Sequence, residues 1–204
     1  MNARIRIYFE GNRQLKRGFA GFLSELREKA ATAKIGWELV ASGSRNEALK
    51  DFEIALRRHK NDIIALLVDA EGLVLSDSVW EHLASLPDAA LQKPKGAKDK
   101  HAHLMVQVME SWFLADKETL KAYYGQGFRE SCLLETSNIE NVSKDTVLQS
   151  LKKAVADTKK GEYLKTRHAA DLLSQIDSNK VRRSSKNCER LFMTIEDAIE
   201  AESK

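Results

Sequence analysis

Two carboxylates spaced i, i+2 close a short apolar run: Ile63-Ile64-Ala65-Leu66-Leu67-Val68 leads into Asp69-Ala70-Glu71-Gly72. A second run, Ile5-Arg6-Ile7-Tyr8-Phe9, ends in Glu10-Gly11. Strands of a parallel sheet present their C-terminal ends along one edge, where ligands bind. Acids brought to that edge by neighbouring strands would repel one another. A divalent Mg2+ or Mn2+ relieves the repulsion, because both ions prefer oxygen ligands. Such an ion can activate water or a phosphate ester for phosphoryl transfer. Glu10, Asp69 and Glu71 are therefore the expected metal set, with Glu10 also a candidate general acid or base. The bland competitor is an acid that caps the next helix. Both halves of the pattern, in order along the chain, favour the metal.

The elements that would position these acids can be read from periodicity. Arg4 to Phe9 alternates as a pleated strand does, and Trp37 to Ala41 and Ile63 to Val68 read as two more strands. Between them, residues 13–31 and Asn46 to His59 carry apolar residues at helical spacing. This β-α-β-α-β series predicts an α/β fold, a mostly parallel sheet flanked by helices. Ser78 to Leu86 reads as a short helix, Pro87 to Lys100 as a lysine-bearing loop, and His101 to Val108 as a fourth strand. Glu110 to Tyr124 is helical in pattern, and Gly125-Gln126-Gly127 stops it. Residues 128–143 read as loop; Asp145 to Asp157, Lys165 to Ile176 and Cys188 to Ala201 read as helices. The expected division is a metal-binding core over residues 1–125 and a helical extension, 126–204, packed on it.

The bulk composition sets limits. The chain has 204 residues, 43% hydrophobic and 31% charged, enough for a buried core. The 33 basic and 30 acidic residues leave a net charge of only +3, so any basic surface must come from distribution. Cys132 and Cys188 lack metal-ligand spacing and are expected to be free thiols of a reducing compartment. No signal-peptide pattern and no membrane-length apolar run is seen, so the expected location is the cytoplasm.

Other residues could join the acids. Glu110 follows a strand as Glu10 and Asp69 do; its alternative is a helix-start carboxylate favoured by the dipole. Arg17, Arg45, Lys165 and His168 are candidates to hold phosphate beside the metal. Glu10, Glu110 and Lys165 form the expected catalytic set. Trp112 and Phe113 are expected in the core.

The Glu-Gly after the first strand and the Asp-x-acid after the third resemble the Toprim fold, the metal-binding domain of topoisomerases, primases and related nucleases. Asp69-Ala70-Glu71 departs from the Asp-x-Asp of that pattern by one methylene. More of the chain, from Arg17-Gly18-Phe19 and Gly43-Ser44-Arg45 through Met109-Glu110-Ser111-Trp112 to Tyr163-Leu164-Lys165-Thr166-Arg167-His168 and Val181-Arg182-Arg183, resembles the bacterial domain of unknown function 4276 family. The resemblance implies the nuclease effector of a two-gene anti-phage system, similar to the phage anti-restriction-induced system. There the partner is an ABC/SMC-type ATPase and the nucleic acid is tRNA. A metal-dependent nuclease acting on RNA, tRNA or DNA is accordingly expected, with Mg2+ or Mn2+ as cofactor; self-association into a homodimer is left open. The rival expectation is a non-catalytic Toprim-like subunit that binds or regulates the ATPase.

Overall fold

A computed structural model describes residues 3–87 and 91–203. Four strands, β1 (Arg4–Phe9), β2 (Gly36–Ala41), β3 (Ile63–Asp69) and β4 (Ala102–Met105), form one parallel sheet in the order β2-β1-β3-β4. The register sets Phe9 beside Ala41 and Leu67, and Asp69 beside Met105. Strand order reverses between β1 and β3, so the expected ligand crevice of such a sheet lies at their carboxyl ends. The arrangement is compatible with a Rossmann- or Toprim-like fold.

Helices cover both faces because β3 is apolar on both. Ala65 and Leu67 join one cluster with Ile5, Ile7 and Phe9; Ile64, Leu66 and Val68 join another on the opposite face with Tyr8. The first cluster receives α1 (Arg13–Phe22) and α2 (Ser24–Thr32). The second receives α3 (Arg45–Arg58) and α4 (Val79–Ser85) through Phe52, Trp80 and Leu83. The single helix expected over 13–31 is two helices that meet at Leu23, fully buried at the junction.

The C-terminal half folds onto the first cluster. It comprises α5 (Lys117–Tyr124), α6 (Lys144–Val155), α7 (Lys165–Gln175), α8 (Ser178–Ser184) and α9 (Lys186–Glu202). One apolar cluster runs from Ile5 to Ile199, across both sides of residue 125. Trp112 is buried, stacked on Phe22 at 4.6 Å between ring centroids. The fourth strand is shorter than expected, ending at Met105, and the expected helix from Glu110 begins as a tight 3-10 turn, Met109–Ala115. Asp116 then caps α5, accepting from the Thr119 amide at 3.3 Å. Helix α8 has no counterpart in the periodicity. Of the expected loop over 87–100, residues 88–90 lie outside the described residues.

The approach of α1 to α7 is unusually close. A Cβ on Gly21 would fall 2.7 Å from the Ser174 Cα, and one on Gly18 would fall 2.9 Å from the Ala170 carbonyl oxygen. Only glycine lets the two backbones meet so closely. This contact brings the start of α7, and Lys165, to the carboxyl edge of the sheet.

Candidate active site

A cleft of about 530 Å³ opens at the carboxyl ends of β1 and β3; Glu10, Asp69, Glu71, Glu110, Lys144 and Lys165 are among its lining residues. Asp69, the last residue of β3, is 4% exposed. Its Oδ1 accepts the Met109 amide at 2.7 Å, and its Oδ2 faces the Lys165 ammonium at 3.5 Å. Glu110 is also buried; its Oε1 accepts from the Tyr163 hydroxyl at 2.9 Å and lies 3.7 Å from Lys165. Lys165 thus bridges two carboxylates that the chain delivers from β3 and from the turn after β4.

Gly11 and Gly43 pair as an isolated bridge, each donating its amide to the other's carbonyl oxygen, at 2.8 and 2.9 Å. Gly43 sits at a φ of +81°, where a side chain is strained. The bridge places the start of α3 beside Glu10. Ser44 caps that helix in a capping box with Glu47, so the next residue, Arg45, is fixed in orientation. Arg45 is buried and donates to Glu10 Oε2 at 3.4 Å, to Glu71 Oε1 at 2.7 Å and to the Asp69 carbonyl oxygen at 3.1 Å.

Electrostatics separate Asp69 from the other buried acids. Burial, with Glu110 and Glu10 adding, pushes its carboxyl up to about 7 against the pull of Lys165 and the Met109 amide. Asp116 is equally buried, yet its carboxyl lies below the usual range: burial raises it, and Lys180 with the amides of Asp177 and Thr119 outweighs burial. Glu140 is enclosed by Ser185 and by the Asn187 amide and side chain. Those two acids hold helices together; the charge on Asp69 is under-compensated. For Lys165, burial pulls downward and Asp69, Glu110 and Glu10 pull upward, with a net rise. It is an ammonium at neutral pH.

The structure brings all four expected acids into one cleft, with different partners. Glu10 and Glu110 are the acids that act on Asp69. Glu71 lines the same cleft at a φ of +61°, and its carboxylate is held by Arg45 and by Lys144 Nζ at 2.6 Å. Burial pushes its carboxyl up, and these two cations, Lys144 first, bring it below the usual carboxylate range. The expected trio Glu10, Asp69 and Glu71 thus lies in one cleft with Glu110, and of these Glu10 and Glu110 bear on the Asp69 charge while Glu71 is taken up by cations. Among the described residues no group of three or more His, Cys, Asp and Glu side chains is gathered in metal-holding geometry. The oxygen-only donor set and the excess negative charge at Asp69 suit a hard divalent cation, with Lys165 standing between the carboxylates.

Two expected phosphate ligands lie elsewhere. Arg17 is exposed and ion-paired with Asp171, where it joins α1 to α7. His168 is buried among Tyr123, Tyr124 and Tyr163, and its Nδ1 accepts the Leu164 amide at 3.1 Å. It caps the start of α7 and so steadies Lys165 from behind. Sequence reasoning misses Lys144, Tyr163 and the flanking Lys152 and Glu162 as site residues. No periodicity marks them; the nearness of Tyr163 to Lys165 along the chain is the available signal.

A parallel sheet flanked by helices, with opposed acids and cations in the crevice at its switch point, defines the class: an α/β protein with its cleft at the carboxyl ends of the strands. The chain belongs to the family described as Domain of unknown function (DUF4276), whose model matches residues 12–196. No curated protein and no solved structure matches it. Among the described residues no helix is long and apolar enough to cross a membrane.

Proposed function

We propose that the chain is a metal-dependent nuclease that hydrolyses phosphodiester bonds of nucleic acid at the cleft between β1 and β3. The observation that supports this best is the meeting of Glu10, Asp69 and Glu110 around Lys165 at the strand ends. Glu10, Asp69 and Glu110 would hold Mg2+ or Mn2+, which supplies activation of water and charge neutralisation at a phosphoryl oxygen. Lys165, half exposed beside Asp69, can turn to a phosphate oxygen. Tyr163 orients Glu110 by its hydroxyl, and Arg45 fixes Glu10 from behind. RNA, tRNA included, and DNA are the candidate substrates. The same proposal has the protein act in the cytoplasm, as effector of a two-gene anti-phage system with an ABC/SMC-type ATPase partner.

Glu10→Ala tests it, since this residue is a third exposed and lies off the core. Cleavage of labelled RNA or DNA in Mg2+ should fall by about 10²–10⁴ with the melting temperature unchanged; undiminished cleavage would remove the proposal. A second reading, a non-catalytic subunit that binds or regulates an ATPase, draws on Glu71, which is held by Arg45 and Lys144 instead of facing Asp69. Calorimetry separates the two: a binding subunit gives no Mg2+ heat that depends on Asp69.

A further inference from the structure

At the opposite, amino-terminal end of the sheet, two adjoining clefts of about 930 and 910 Å³ share Lys60, Asn61 and Asp62. Arg4, Arg6, Lys34, Arg57, Arg58 and Lys60 line the first, and among the described residues Asp62 is its one acidic member. Asp62 is already engaged: it accepts from Arg6 Nε at 2.7 Å and from the Arg4 amide at 3.1 Å. Glu38 of β2 also pairs with Arg4 and Arg6, and Glu53 with Arg57. The second cleft continues to Lys98 and Lys100 of the lysine-bearing loop; its far wall, on α9, adds Asp197 and Glu202. Arg58 and Lys60 are exposed and make no side-chain hydrogen bond or ion pair with any described residue.

Basic residues in the last turn of a helix complement its dipole, which would explain Arg57 and Arg58. It does not explain Arg4 and Arg6 on a strand, Lys60 in a turn, or Lys98 and Lys100 across the next cleft. These cations come from separate segments and face one continuous groove. With the whole chain carrying only +3, this is a local concentration of charge.

We infer that this groove binds the sugar-phosphate backbone of a nucleic acid at a place separate from the acidic cleft. Ile63 and Asp69 mark the two ends of β3, and at roughly 3.3 Å per residue they stand about 20 Å apart. One phosphate cannot occupy both places. The groove therefore adds affinity for a long strand and takes no part in bond cleavage. At about 3.4 Å per base pair, a duplex of fewer than roughly six pairs cannot reach from one to the other. The choice of polyanion rests on the proposed nuclease reading; the charge distribution does not.

The test is fluorescence anisotropy of the full chain in EDTA, with a labelled single-stranded RNA and a labelled DNA duplex, each about 30 nucleotides per strand. Arg57→Ala, Arg58→Ala, Lys60→Ala combined should weaken binding at least ten-fold. The slope of log affinity against log salt should fall by about 2 to 3, roughly one for each phosphate no longer neutralised. In Mg2+, the same variant should keep kcat and raise KM on the long probe. Arg58→Ala, Lys60→Ala, at the two positions without a side-chain partner among the described residues, repeats the comparison if the triple variant melts early. Unchanged affinity and slope in these variants overturns the groove and leaves the nuclease proposal standing. Wild-type protein that binds neither probe overturns the groove and the nucleic-acid substrate together. Wild type that binds both while Glu10→Ala cleaves as well as wild type removes the acidic site alone.

Discussion

At the carboxyl end of β3, Asp69 is buried among charges drawn from distant segments; at the amino end, Arg58 and Lys60 stand in solvent without a side-chain partner among the described residues. The strands are the same, and the energetics are not. Buried charges interact strongly and depend on geometry, so moving one disturbs the rest. Exposed charges are screened by salt within about 10 Å and act nearly additively. The first arrangement suits chemistry at a fixed point, the second suits retention of a polyanion. Substitutions at the acidic end should therefore give large, coupled effects, and those at the basic end small, salt-dependent ones.

The strongest test of that contrast is the pH dependence of Asp69. Its carboxyl is raised from 3.8 to about 7 in the folded protein. Between those values the folded state holds a proton that the unfolded state has lost. Its contribution to stability is therefore complete below about pH 4 and disappears as pH rises through 7. Asp69→Asn keeps an oxygen for the Met109 amide and removes the titration. The variant should gain on wild type by a few kcal/mol between pH 5 and pH 8, since each pH step of one in that window is worth at most about 1.4 kcal/mol. Thermal melts of metal-free protein at the two pH values read the difference. Glu71 and Asp116, whose carboxyls are lowered, oppose this trend in both proteins and cancel in the comparison. A constant gap between variant and wild type would mean that Lys165 fully compensates Asp69, and the two ends would no longer differ in kind.

A smaller effect tests whether the acidic end depends on packing. In Gly21→Val the new Cβ would collide with the Ser174 backbone. Either α1 or α7 must shift, at about 1–3 kcal/mol. Cleavage should fall with it, because α7 carries Lys165 and His168 holds that helix start. Nucleic-acid binding in EDTA should persist, since the groove lies on β1, α3 and the turn after it. Parallel loss of both would mean that the two ends are one cooperative unit.

Much of this molecule is legible in its residues. The three strands and the helices between them follow from periods of two and of three to four, and the sheet order puts Glu10 and Asp69 where the pattern of acids after strands implies. What is not legible depends on chain reversal. Leu23 interrupts a continuous apolar pattern by a backbone change alone, to a φ of −97° and a ψ of 17°, while its side chain stays buried on the same face, so spacing cannot reveal the break. The 3-10 segment after Met105 turns Glu110 inward, and apolar spacing does not distinguish that turn from an α-helix. Arg17 and His168 carry plausible chemistry by residue type alone; the fold gives them to the α1–α7 joint and to a helix cap. Lys144 is 73 residues from Glu71, and no local pattern marks such a partner.

That distant partner gives the finest discrimination. Lys144 and Glu71 have side chains 42% and 31% exposed, so the ion pair contributes about 0–1 kcal/mol to stability. Lys144→Ala should lower the melting temperature only slightly. Arg45 still holds the other carboxylate oxygen at 2.7 Å, and the left-handed backbone at Glu71 still aims the side chain toward it. Mg2+ affinity by calorimetry should accordingly stay as in wild type. A tighter affinity in Lys144→Ala, lost again when Glu71→Gln is added, would mean that Glu71 is a ligand kept out of place by Lys144. The acidic end would then hold a fourth carboxylate, and the longer side chain at this position would be a means of reaching the ion from a backbone turned away from it.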